Sequence, residues 1–151
     1  MQEILLVILG FLLGLIPGWM ARRSRLKVHW SALRAEIELC SEHASTYLND
    51  KIMAPLYRLP IRAYEASFSV LLTDAAVKEG EVRTLLKFYG HVEDFNRGLD
   101  NAAHLATENN TGLLKSEFKR NCVKAQQLIP PQAGDSNLYT AAVACVGHHV
   151  E

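Results

Sequence analysis

Recognisable chemistry is what this sequence has least of. It holds no P-loop, no GxGxxG, no HExxH and no GxSxG, so the common nucleotide, zinc-protease and serine-hydrolase patterns are missing. It holds no Glu-x-x-His, whereas a carboxylate-bridged di-iron bundle needs two. Cysteine is scarce: Cys40, Cys122 and Cys145 are odd in number and none forms CxxC. A surplus of either charge is absent too, with 16 Lys and Arg against 16 Asp and Glu. A general nucleic-acid binder needs cations clustered in excess, so nucleic acid is not an expected partner. There is no internal repeat and no low-complexity tract. No cation precedes the first apolar run and no small-x-small pattern closes it, which argues against a cleaved signal peptide.

What is present is that apolar run itself. Ile4 to Ala21, ILLVILGFLLGLIPGWMA, is 18 residues long and uncharged. At about 1.5 Å per residue this is the short end of what crosses a bilayer core of ~30 Å, and in lipid it must be helical. A single-pass transmembrane anchor is therefore expected over residues 1–21. Arg22, Arg23, Arg25 and Lys27 follow at once, and Trp19 stands where an interfacial aromatic would sit. The cation-rich flank normally stays inside, so the amino terminus is expected outside and the remaining 130 residues in the cytoplasm. In that compartment the three cysteines are expected reduced, as small apolar residues. Gly10, Gly14 and Gly18 recur every four residues and form a stripe where two helix backbones can approach, which points to self-association or to another membrane protein as partner. Pro17 removes one backbone donor and favours a kink.

The remainder is patterned for helices. Leu26, Trp30, Leu33, Ile37, Cys40, Ala44 and Tyr47 step by threes and fours, a bundle or coiled-coil period, and predict a helix over 26–53 that can continue the membrane segment without a break. Arg34, Glu36, Glu38 and Glu42 fall off that stripe. Pro55 and Pro60 bracket an apolar connection. Further helices are expected over 61–78 (Ile61, Tyr64, Phe68, Leu71, Leu72, Ala75) and 81–107 (Val82, Leu85, Tyr89, Val92, Phe95, Leu99, Ala102, Ala106). Another is expected over 113–129 (Leu114, Phe118, Ala125, Leu128, Ile129), with Lys115, Lys119, Arg120 and Lys124 on its other face. Gly90 and Gly98 inside the third each cost about 1 kcal/mol against Ala unless close packing uses them. Pro130-Pro131 ends the fourth. A weak closing helix, 138–146, capped by Asp135 or Ser136, is expected to pack loosely before a frayed end. The fold class is thus all-α: an anchor (1–21), an antiparallel bundle of about four helices (22–130) and a linker with a short C-terminal helix (131–151).

Four groups of residues are candidates for function. The first is the glycine stripe. The second is the membrane-surface set Trp19, Arg22, Arg23, Arg25 and Lys27, whose cations suit anionic lipid. The third is the loop Leu56, Tyr57, Arg58 and Leu59, which either caps the bundle or is exposed for docking. The fourth is a polar cluster on the third helix, His91, Asp94, Arg97 and Asp100, which forms either a network or a small-ligand or enzymatic site. A metal set from Cys40 and His43 with Cys122 or His104 falls short of four clear ligands. The expected function is a membrane-anchored adaptor or scaffold acting through protein–protein contacts, with no cofactor and no catalytic role. Binding of anionic membrane lipid is the first alternative, and a small-ligand or enzymatic bundle the second.

Overall fold

The computed structural model describes residues 2–50, 58–131 and 135–150, with side chains from residue 16 onward. Among the described residues the chain is all-helical: α1 Gln2–Asp50, α2 Arg62–Thr73, α3 Glu79–Thr107, α4 Thr111–Gln126 and α5 Leu138–Val150. The apolar run and the first bundle helix are one helix of 49 residues, and Pro17 lies inside it without ending it. Among the described residues no helix is long and apolar enough to cross a membrane. Residues 4–15, most of the apolar run and with it Gly10 and Gly14, are described only as helical backbone.

Side-chain contacts fix the directions of the columns. Passing along α1, Arg25 meets Asp74, His29 meets Ser67, and Glu36 meets the amides of Ala63 and Tyr64. The α2 helix therefore runs antiparallel to α1. On α3, His91 meets Lys124 while Gly98 faces Asn121, so α4 runs antiparallel to α3. The last helix takes over where α4 stops. The amide of Tyr139 donates to Gln127 O at 3.1 Å, and the far end of α5 places His149 against Trp30 and Glu81. The α4 and α5 helices thus form one column broken at Pro130-Pro131. The short fifth helix, expected as a loose appendage, is part of the bundle, with Ala142 and Val146 fully buried, and it stays helical to Val150.

The core follows the stripe on α1, where Trp30, Leu33, Ile37, Cys40, Ala44 and Tyr47 are all buried. From α3 come Leu85, Phe88, Tyr89, Val92, Phe95 and Leu99. Tyr89 stacks on Tyr64 at 4.0 Å and Tyr47 meets the edge of Phe95 at 5.1 Å, geometries that aromatic pairs prefer. On α2, Leu71 is buried but Leu72, about 100° further round the helix, is exposed; the helix stops at Thr73, so Ala75, expected on the same stripe, turns the chain with φ 49° and is exposed too.

Three polar residues organise the helix ends. The carboxylate of Glu36 accepts from Ala63 N at 2.7 Å and Tyr64 N at 2.8 Å, capping α2 from across the bundle. The α2 helix has no side-chain cap of its own, and its first amides favour a negative partner. Glu36, expected off the stripe, is accordingly buried. Glu81 accepts from Lys78 N at 2.7 Å and so closes the start of α3. Asn137, rather than Asp135 or Ser136, caps α5 by accepting from Thr140 N at 3.1 Å, and its amide also donates to Ile129 O at 2.6 Å, pinning α5 to the end of α4.

Candidate functional site

The end of the bundle nearest residue 21 carries the membrane-surface set singled out from sequence, together with Gly18. Here α1 leaves the other helices, and every residue from 16 to 25 is exposed. Ile16, Trp19 and Met20 are 47%, 62% and 60% exposed, an apolar group that the bundle does not cover. Gly18 is equally open, since a Cβ added there would meet nothing within 4 Å. The guanidinium of Arg23 lies 5.6 Å from the Trp19 ring centroid, within cation–π reach.

The four cations after the apolar run divide into two pairs. Arg22 donates to Asp74 O at 2.8 Å and Arg25 to Asp74 Oδ2 at 3.1 Å, which fastens α1 to the α2–α3 turn. Arg23 and Lys27 face the other way, into a cleft of about 260 Å³. Leu26, Trp30 and Ala76 supply its apolar wall, and His148 and His149 its remaining edge. The imidazole of His149 stacks on Trp30 with centroids 4.0 Å apart and planes 6° from parallel. Its Nε2 is 2.8 Å from Glu81 Oε1. Burial pushes the Glu81 carboxyl up, but the bonds from the Lys78 backbone and the His149 ring outweigh it and hold that carboxyl below its ordinary value. Neither histidine was singled out from sequence. The paired histidines closing an otherwise apolar segment were the available signal, masked by the expectation of a frayed end.

The polar cluster on α3 takes a different form. His91 Nε2 lies 3.0 Å from Lys124 O, and Lys124 Nζ lies 2.9 Å from Asp94 Oδ2 and 3.0 Å from Asp94 O. The Asp94 carboxyl is held below its ordinary value, chiefly by the hydrogen bond from Lys124. Arg97 is exposed and reaches Asp94 only at 3.9 Å. Asp100 pairs instead with Arg58. The cluster is a ladder joining α3 to α4 and to the loop before α2. Lys124, expected on a solvated face with Lys115, Lys119 and Arg120, turns inward to complete it.

Leu56 and Tyr57 lie outside the described residues. Leu59 is 2% exposed, and its backbone is gripped on both sides by Asn96, which accepts from Leu59 N at 2.8 Å and donates to Leu59 O at 2.9 Å. Its side chain therefore belongs to the core and not to an exposed docking edge. Cys40 is fully buried and donates to Pro60 O at 3.3 Å, and burial raises its thiol pKa. His104 is directed to Glu108, 3.4 Å away, so it does not join Cys40. Among the described residues no group of three or more His, Cys, Asp or Glu is placed to hold a metal ion.

A second cleft, of about 460 Å³, opens between the end of α3 and the start of α4. Its one buried charged group, Glu117, is bound by Arg120 at 3.1 Å. Neither cleft includes His91, Asp94 or Arg97. Compared with known proteins, the chain matches no family model, no curated protein and no solved structure.

Proposed function

We propose that this chain is a membrane-tethered helical adaptor or scaffold, single-pass, with its amino terminus outside and its bundle in the cytoplasm, acting through protein–protein contacts. The observation that carries the reading is the projecting part of α1. Ile16, Trp19 and Met20 stand uncovered on a helix that continues without a break into the uncharged run beginning at Ile4. A contiguous apolar surface of this kind is stable only when something other than water covers it. The length of the run, the aromatic at its end and the cations beyond it suit a bilayer. Gly10, Gly14 and Gly18 supply the surface for pairing with a second copy or another membrane helix.

The test is made on the full chain in cell membranes. The chain is expected to resist alkaline carbonate extraction, and the bundle to be digested only by protease on the cytoplasmic side. Crosslinking is expected to trap a dimer or a second membrane protein, and Gly14→Leu to reduce the trapped fraction. A chain released by carbonate removes the tether. A strictly monomeric chain with no crosslinked partner removes the adaptor.

A further inference from the structure

We infer that α1 carries a second seam, on the side turned away from the bundle core, and that its occupant is α1 of a second copy of this chain, parallel and in register. The inference rests on the tether and carries the glycine pairing out of the membrane and along the bundle.

The core stripe on α1 alternates steps of four and three. A second series does the same: Gly14, Gly18, Ala21 and Arg25, then Val28, Ala32, Ala35 and Leu39. It lies about 140° round the helix from the core stripe and holds that bearing for about seven turns. The bundle leaves this face uncovered. Val28 is 64% and Leu39 40% exposed, Ala21 and Ala35 are exposed, and Ala32 is half-buried. Apolar residues scattered singly over a surface need no cause, but here they keep one coiled-coil register along one helix.

Three observations point to a second copy. First, two chains inserted the same way run parallel, and a two-fold axis along α1 sets each seam residue against its counterpart. The small residues let the backbones approach, while Val28 and Leu39 fill the space between them. Second, Arg25 is the one charged residue on the seam, and its guanidinium is drawn aside to Asp74 Oδ2 at 3.1 Å. Its charge is therefore paired within its own chain. Third, the flanks of the seam suit two-fold packing. On one flank Arg22, His29 and Glu36 all bond to α2 or to the turn after it. On the other stand Ser24 and Ser31, small and exposed. The axis brings the second copy's α2 against these serines. A groove of about 270 Å³ between Arg25 and the α2 residues Val70 and Thr73 receives its α1 in turn. From Gly18 to Leu39 the seam is about 32 Å long and, with α2 beside it, covers roughly 500 Å² a side. A standard stable interface takes about 800 Å² a side, so the seam holds together with the apolar run in the bilayer and not without it.

The test is disulfide trapping of the full chain in membranes. Val28→Cys and Ala35→Cys are each expected to give a linked dimer on oxidation. Wild type, whose Cys40 is buried, and Lys119→Cys, at an exposed site on α4, are expected to give none. Adding Val28→Glu and Leu39→Glu, both at exposed positions, to Ala35→Cys is expected to lower the linked fraction roughly tenfold at unchanged helix content. Linkage that those two changes do not weaken, or that Lys119→Cys shows equally, reflects random collision and overturns the seam. Linkage at Gly14→Cys but at neither Val28→Cys nor Ala35→Cys ends the contact at the membrane, which overturns the seam and leaves the glycine pairing standing. Linkage of Val28→Cys to a different protein overturns the second copy as occupant. A chain released by alkaline carbonate before oxidation overturns the tether, and with it the parallel orientation on which the seam depends.

Discussion

Gly98 and Gly90 lie on the same helix and respond oppositely to the same change. A Cβ built on Gly98 would stand 2.0 Å from Asn121 Oδ1 and 2.6 Å from Asn121 Cγ and Nδ2. Ordinary contact between such atoms is about 3.5 Å, so the overlap in Gly98→Ala exceeds 1 Å. Relief requires either Asn121 to swing away or α3 and α4 to part. Asn121 is fully buried on α4, with the Tyr47 hydroxyl beside it. Burial pushes that phenol up to about 12, and the Asn121 amide opposes the rise. Overpacking of this kind costs about 1–3 kcal/mol, while Ala gains about 1 kcal/mol over Gly in a helix. An overlap of more than 1 Å in a fully buried site puts the cost at the upper end of that range, about 2–3 kcal/mol, so the expected net loss is about 1–2 kcal/mol, a fall in Tm of about 5 °C for a chain of this size. At Gly90 an added Cβ meets nothing within 4 Å and the site is exposed. Gly90→Ala therefore keeps only the propensity gain, and Tm should rise by about 3 °C. Thermal melts of the two variants in one detergent, followed by circular dichroism, make the comparison. Adding Asn121→Ala to Gly98→Ala opens room for the methyl group, and the double-mutant cycle should show a favourable coupling of about 1 kcal/mol or more. A Gly98→Ala protein as stable as wild type, or a cycle with no coupling, would show that α3 and α4 do not meet closely there.

Two further outcomes concern the carboxylates that close helix ends. Glu36→Ala leaves the half-buried amides of Ala63 and Tyr64 without their acceptor and should cost about 1–3 kcal/mol, with faster hydrogen exchange at those two amides. Unchanged exchange there would mean that α2 is capped by something else. Glu81 has its pKa lowered in the folded chain, so its contribution is present above the unfolded value and is lost as pH falls through the folded one. Melting temperature should therefore drop on acidification below about pH 4.5 less steeply in Glu81→Gln than in wild type. Parallel acid limbs would refute the assignment.

How much of this was legible depended on whether a residue's fate is set by its own helix or by a neighbour. The α1 stripe from Trp30 to Tyr47 was readable position by position, because one regular face meets the core along its whole length. The α3 stripe was readable from Leu85 to Ala102 except for Phe88, which lies beside Tyr89 and widens the buried face; at its ends Val82 is only half-buried and Ala106, expected on the stripe, is exposed. Buried Glu36, Glu117 and Asn121 were not readable. Glu36 is buried because the start of α2 needs an acceptor, and Asn121 because Gly98 leaves it a socket. Both are properties of the opposite element. The interior glycines were marked as costly unless packing used them, and the structure separates the two, since Gly98 has a neighbour and Gly90 has none. The candidate site was half legible. The cations of α1 stood out by their position after the apolar run, while His148 and His149 arrive from the far end of the chain. They do so only because α5 prolongs the column that Pro130-Pro131 interrupts.

The unbroken backbone of α1 also fixes the roll of the bundle. Trp19 and Trp30 are separated by about three turns, so the two rings leave the helix axis on nearly the same azimuth. One is bare beyond the bundle, and the other is clamped against His149 inside it. A helix without a hinge transmits twist, so turning the bare end by any angle turns the packed end with it. The flank carrying the cleft therefore has a set bearing relative to Trp19, and anything that gripped the projecting helix would set the direction in which that flank points.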